Sequence, residues 1–121
     1  MAISTLRRLY IAGPMSGKKD HNFGAFDEAA VALRKAGYEV VSPAETARAL
    51  PGVPGSLPYE VYARESLRAM LDCTDLVLLN GWRGSRGAMN ELNVADFLKF
   101  KVWSLGAQGQ LHRLEYGDRS V

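Results

Sequence analysis

Asp75-Leu76-Val77-Leu78-Leu79-Asn80-Gly81-Trp82-Arg83-Gly84-Ser85-Arg86-Gly87-Ala88-Met89-Asn90-Glu91 is the stretch that decides the fold. Its first five residues form a short apolar run stopped by Asn80-Gly81, the mark of a buried strand. From near Gly87 the period changes: Ala88, Leu92, Ala95 and Leu98 fall on one face of a helix. Between them lies a loop with three glycines, Gly81, Gly84 and Gly87.

The same alternation extends in both directions. Leu9-Tyr10-Ile11-Ala12 ends in Gly13-Pro14, Tyr38-Glu39-Val40-Val41 ends in Ser42-Pro43, and Lys101-Val102-Trp103-Ser104-Leu105 ends in Gly106. Each reads as a buried strand. Asn22 caps a predicted helix that carries Phe26, Ala30 and Leu33 on one stripe and stops at Gly37. Pro58 suits the first turn of another, running to about Asp72 with Val61, Leu67, Met70 and Leu71 as its apolar positions. Glu45 to Leu57, with Pro51, Gly52, Pro54 and Gly55, reads as a long loop over one end of the sheet. Gln110 to Tyr116 adds a candidate last strand to a polar tail. Strands alternating with helices predict an α/β fold: a parallel sheet of four to five strands with helices on both faces, as one domain over residues 1–121.

Composition narrows the function. Lys plus Arg is 15 against 13 Asp plus Glu, a net charge of +2, which makes no electrostatic case for nucleic-acid binding. A single cysteine, Cys73, leaves no disulfide framework or multi-cysteine zinc site. Two distant histidines, His21 and His112, argue against a histidine-rich metal site. No apolar run approaches the length a bilayer needs, and Met1 to Arg8 lacks the apolar stretch of a signal peptide. The expectation is a cytoplasmic protein with no membrane partner.

In open parallel sheets ligands bind beyond the carboxyl ends of the strands, and two such loops are rich here. The first is Gly13-Pro14-Met15-Ser16-Gly17-Lys18-Lys19. Its glycines, serine and lysines suit an anion such as a phosphate, yet it has neither the GKS/T ending of a Walker loop nor GxGxxG. A plain strand-to-helix turn with solvated lysines explains it equally well. The second loop places Ser85 to cap the following helix or to hold an anion at its N-terminus. Glu91 falls one turn into that helix, beside its buried stripe. The helix dipole favours its ionised form there. Such a carboxylate can trap an oxocarbenium-like centre at a sugar C1′, although a helix-favouring glutamate is the commoner meaning. Trp82 can wall a pocket or simply pack, and Cys73 reads as a packing residue.

Taken together, Tyr10 to Gly17, the Asn22-Phe23 helix start, Gly37 to Glu45 and Gly81 to Glu91 resemble the nucleoside 2-deoxyribosyltransferase-like superfamily. They are most similar to its small phage and prophage branch, DUF4406. The resemblance runs from about Leu9 to Leu105. It implies a flavodoxin-like (Rossmann-like) sheet and a homodimer or higher homo-oligomer. It also implies an active site in which Glu91 is the nucleophile and Tyr10 orients it by a hydrogen bond. Six residues before the nucleophile, where the transferases carry an aspartate, stands Ser85. The related deoxynucleoside 5′-monophosphate N-glycosidases have a phosphate-binding serine there. With Gly13, Met15, Ser16, Gly17 and Lys18 on the first loop, and Gly81, Trp82 and Gly87 on the second, this favours a 5′-phosphorylated substrate. A dianion is repelled by aspartate but welcomed by serine at a helix N-terminus. The family's general-acid aspartate falls near Ser66, with Glu65 and Asp72 as neighbouring carboxylates, neither a clean match.

The resulting expectation is an N-glycosidase or deoxyribosyltransferase that cleaves the base–sugar bond of a (deoxy)nucleoside 5′-monophosphate, with a small-molecule nucleotide or nucleoside as partner. No metal or organic cofactor is implied. The competing reading is a non-catalytic nucleotide-binding or sensing module on the same fold, which accounts for the missing acid.

Overall fold

In the computed structural model, which describes residues 7–115 and Arg119, five strands form one sheet in the order β2-β1-β3-β4-β5. They are β1 (Arg8–Ala12), β2 (Glu39–Val41), β3 (Asp75–Leu78), β4 (Lys101–Leu105) and β5 (Leu111–Arg113). The helices are α1 (Phe23–Lys35), α2 (Pro43–Ala49), α3 (Tyr59–Leu71) and α4 (Arg86–Phe97), with single 3-10 turns over Lys19–Asn22 and Trp82–Gly84.

β1 pairs in parallel with β2 and β3, setting Tyr10 opposite Val41 on one side and Leu76 on the other. β3 pairs in parallel with β4. β5 runs antiparallel to β4, with Leu105 opposite Leu111. The parallel expectation therefore holds for four strands and not for the fifth. Only a tight turn at Gly106–Gln110 separates β4 from β5, far short of the crossover that a parallel return needs. Left-handed Gly109 (φ 82°) helps to close that turn. The last strand is shorter than expected, and Tyr116, its expected end, lies outside the described residues.

Pleating divides β1 between two cores. Tyr10 and Ala12 pack with Leu76, Leu78 and Val102 against Met70 of α3 and Ala88, Leu92 and Ala95 of α4. Leu9 and Ile11 pack with Val77 against Phe26, Ala29, Ala30 and Leu33 of α1, and Ala44 of α2 joins them. Side chains such as Phe26 and Leu33, both with no exposure, stabilise by about 1.5–3 kcal/mol each. Leu67 (38% exposed) and Leu71 (62%), read from the sequence as core positions, instead face outward on α3, and Leu98 lies past the end of α4.

Two local readings are corrected. The loop expected from Glu45 begins later, because Pro43 opens α2 and a helical segment runs to Ala49. Proline's fixed φ suits a first helical turn, so the Pro- and Gly-rich composition marks only the segment between Ala49 and Pro58 as loop. Asn22 precedes α1 as expected but does not cap it. Asp20, His21 and Asn22 are three consecutive left-handed residues (φ 50°, 56° and 59°), and the Asn22 amide donates instead to the Pro14 carbonyl at 2.8 Å.

Asp75 is 2% exposed but fully engaged at the amino end of β3. It accepts from Trp103 Nε1 at 2.8 Å, Thr74 Oγ1 at 2.7 Å and Arg7 Nη2 at 3.2 Å. This is a structural cluster, remote from the carboxyl ends. There, strand order reverses between β1 and β3, which creates a crevice for ligands. The two loops singled out from the sequence leave the sheet on either side of it. They touch closely: a Cβ at Gly13 would come within 2.9 Å of Leu79 Cβ.

Candidate active site

Tyr10 is fully buried on the α3/α4 side of the sheet. Glu91, one turn into α4, is half-buried above it. The Tyr10 hydroxyl donates to Glu91 Oε2 at 2.6 Å. That is a short, charge-assisted bond. Among the described residues Glu91 Oε1 has no protein partner. Burial pushes the Glu91 carboxyl up to about 7, against the opposing effect of the Tyr10 hydrogen bond. The helix dipole, expected to keep Glu91 ionised, is outweighed by this loss of water. Burial and the adjacent Glu91 also hold the Tyr10 phenol well above its ordinary range.

Ser66 of α3 joins the pair. Its hydroxyl, beside Tyr10, works against that rise. The position near which the resemblance places the acid therefore does face the site, but with a hydroxyl. Glu65 is paired with Arg68, and Asp72 is exposed at the far end of α3. Neither supplies a carboxyl to the pair.

Ser85 caps α4, accepting from the Ala88 backbone N–H at 3.1 Å. Its hydroxyl proton remains available to an anion, as do the first backbone N–H groups of the helix. Tyr59, at the start of α3, stands over this turn, its hydroxyl 3.5 Å from where a Cβ at Gly87 would be. Trp82 is 4% exposed and packs in the same core as Tyr10 and Ala88, with the Arg83 guanidinium over its ring at 4.5 Å. Gly81 is left-handed (φ 89°), and a Cβ there would meet Pro14 Cγ at 3.3 Å.

On the first loop Gly13 is buried, Ser16 and Gly17 are exposed, and Gly17 takes a left-handed turn (φ 77°). Met15 packs with the α1-side core. Lys18 lines a cavity of about 420 Å³ on that same side, across the sheet from Glu91. The structure thus places Met15 and Lys18 of the first loop on the α1 side.

Three residues were not singled out from the sequence. Tyr62 accepts from the backbone N–H groups of Gly55 (2.8 Å) and Leu57 (3.2 Å), fastening the Pro-rich loop to α3. The His21 ring nitrogen contacts the Pro54 carbonyl at 3.1 Å, linking that loop to the first. Tyr59 and Tyr62, one helical turn apart after Pro58, carried the only available signal, a shared helix edge. Cys73 packs, donating to Ala69 O at 3.5 Å, and burial pushes its thiol up to about 11, leaving it unreactive at neutral pH. Among the described residues, no group of three or more His, Cys, Asp or Glu is placed to hold a metal ion, and no helix is long and apolar enough to cross a membrane.

A flavodoxin-type sheet with a phenol–carboxylate pair between β1 and α4 defines the class of this α/β protein. The chain belongs to the DUF4406 family, a domain of unknown function whose model matches residues 7–104. Its fold is similar to that of a 2-deoxyribosyltransferase from the psychrotolerant bacterium Bacillus psychrosaccharolyticus, with a TM-score of 0.63 and 19% identity over 92% of this chain and 79% of that one. No curated protein matches the chain.

Proposed function

We propose that the protein breaks the base–sugar bond of a (deoxy)nucleoside 5′-monophosphate, as an N-glycosidase or a deoxyribosyltransferase. The observation that carries this reading is the 2.6 Å hydrogen bond from Tyr10 to Glu91 Oε2, which leaves Oε1 without a partner. Support also comes from the fold shared with a 2-deoxyribosyltransferase.

In this mechanism Oε1 of ionised Glu91 attacks C1′ as the bond from C1′ to the base nitrogen breaks. The electron pair leaves with the base. Ser66 is no carboxylic acid, so the base takes its proton from water. Water, or a second base, then attacks C1′ and releases Glu91. Tyr10 fixes the rotamer of the nucleophile. Ser85 and the first turn of α4 hold the 5′-phosphate, with Ser16 and Gly17 from the other loop.

The test measures free base from a panel of ribo- and deoxyribonucleotides. Wild type is expected to release base, and Glu91→Gln to release it at least ~10³-fold more slowly. Equal release by the two proteins, or none from wild type, overturns the nucleophile assignment. The non-catalytic reading predicts that second result, together with nucleotide-dependent thermal stabilisation.

A further inference from the structure

Tyr59 opens α3, stands 57% exposed and belongs to neither core. Core packing therefore does not account for its place over the first turn of α4. Its hydroxyl has no hydrogen-bond partner among the described residues. Beyond its chain neighbours, a Cβ at Gly87 would meet two side-chain atoms within 4 Å, both hydroxyl oxygens: Tyr59 at 3.5 Å and Ser85 at 4.0 Å. Gly87 lies in α4 without a positive φ, so its backbone conformation does not call for glycine. Glycine weakens a helix relative to alanine, and what it leaves here is an open space beside two hydroxyls. Two more features meet at that space. Glu91 lies four residues on, so both positions share one face of α4, a turn of about 5.4 Å apart. A sugar ring with its 5′-methylene spans a gap of that order. The first turn carries no acid and begins with Arg86, exposed and without a partner among the described residues. A cation is unfavourable at the positive end of a helix, and a bound anion reverses that balance.

We propose that Tyr59 is a specificity-determining residue that, with Arg86, selects a 5′-phosphorylated substrate over the free nucleoside. This role rests on the cleavage of a nucleoside 5′-monophosphate proposed above. The phosphate occupies the space at Gly87. The Tyr59 and Ser85 hydroxyls each donate to one of its oxygens, while Ser85 Oγ keeps the bond it accepts from the Ala88 N–H. The free backbone N–H groups of the first turn donate as well, and the Arg86 guanidinium supplies charge. The sugar then runs along α4 and sets C1′ at Glu91. A nucleoside makes none of the contacts at Gly87 and is held by its sugar and base alone.

The test uses the full chain carrying Glu91→Gln, so that turnover does not consume the ligand. Calorimetric titrations with AMP, GMP, CMP and UMP, their 2′-deoxy counterparts and the matching nucleosides are compared with and without Tyr59→Phe, which keeps the ring, and Gly87→Ala, which fills the space. Each change is expected to lower the affinity for the nucleotide that binds by at least ~tenfold and to narrow its preference over the matching nucleoside. Nucleotide affinity within twofold of the parent in Tyr59→Phe, an equal loss for nucleotide and nucleoside, or no nucleotide binding to protein shown by melting to be folded overturns the proposal. Base release is measured separately with Glu91 restored. If wild type releases no base but Tyr59→Phe still weakens nucleotide binding, the catalytic reading fails and the contact of Tyr59 with the phosphate stands. If wild type releases base and Tyr59→Phe binds nucleotide as its parent does, the catalytic reading stands and the role of Tyr59 fails.

Discussion

Glu91 carries opposite requirements. The proposed nucleophile must be ionised, whereas burial raises its carboxyl to about 7. Base release by the free enzyme is accordingly expected to rise about tenfold per pH unit below 7 and to level off above it, as read from kcat/KM. Stability should run the other way. The carboxyl's pKa is higher folded than unfolded, so its contribution is complete below about 4.5 and is lost as pH rises through about 7. Glu91→Gln, which can still accept from Tyr10, escapes this loss. Urea unfolding should show the variant level with wild type near pH 4.5 and more stable by up to about 3 kcal/mol at pH 8. A gap that does not change with pH would falsify the buried-carboxylate account. Glu91 was legible in the sequence as a carboxylate one turn inside a helix, and Tyr10 as a phenol on the first strand. Their pairing was not, because no local spacing encodes a contact between residues 81 apart; it came from the resemblance. The suppression of ionisation was also hidden, since burial belongs to the packed molecule.

Among the elements, β1, β3 and α4 could be read from apolar runs, glycine stops and a change of period. α2 could not, because proline and glycine composition signals loop whether the proline starts a helix or breaks one. Nor could the direction of β5, which depends on the length of the turn before it. The turn before α1 reads in the sequence as an ordinary cap, yet it holds three left-handed residues in succession. Asp20, exposed and without a side-chain hydrogen bond among the described residues, is the one whose Cβ brings the least in return. Asp20→Gly is expected to stabilise by about 0.5–1 kcal/mol in chemical unfolding, the relief of a left-handed L-residue less the added freedom of the unfolded chain. Gly13→Ala should act in the opposite sense. Its new Cβ would meet Leu79 Cβ at 2.9 Å, an atom fixed to the backbone of the neighbouring strand end. A loss of about 1–3 kcal/mol, with a lower midpoint and unchanged slope, is the expected result.

At the scale of the whole molecule, the near-neutral charge conceals a difference between the two faces of one sheet. The α3/α4 side holds the phenol–carboxylate pair, and the α1 side holds the cavity that Lys18 lines. The alternation of elements made the two-sided architecture legible. It did not show which face each loop residue would join, because a loop residue's side is set by tertiary packing and not by strand period. The bond from Tyr10 to Glu91 has a further consequence, for the order of folding. It spans 81 residues and links β1 to a helix that lies beyond β3, so it cannot form until the crossover through α1, β2 and α3 has brought those strands together. Closing such a long loop comes late in chain assembly. The pair therefore arises after the sheet that carries it, and no fragment ending before β3 can contain it.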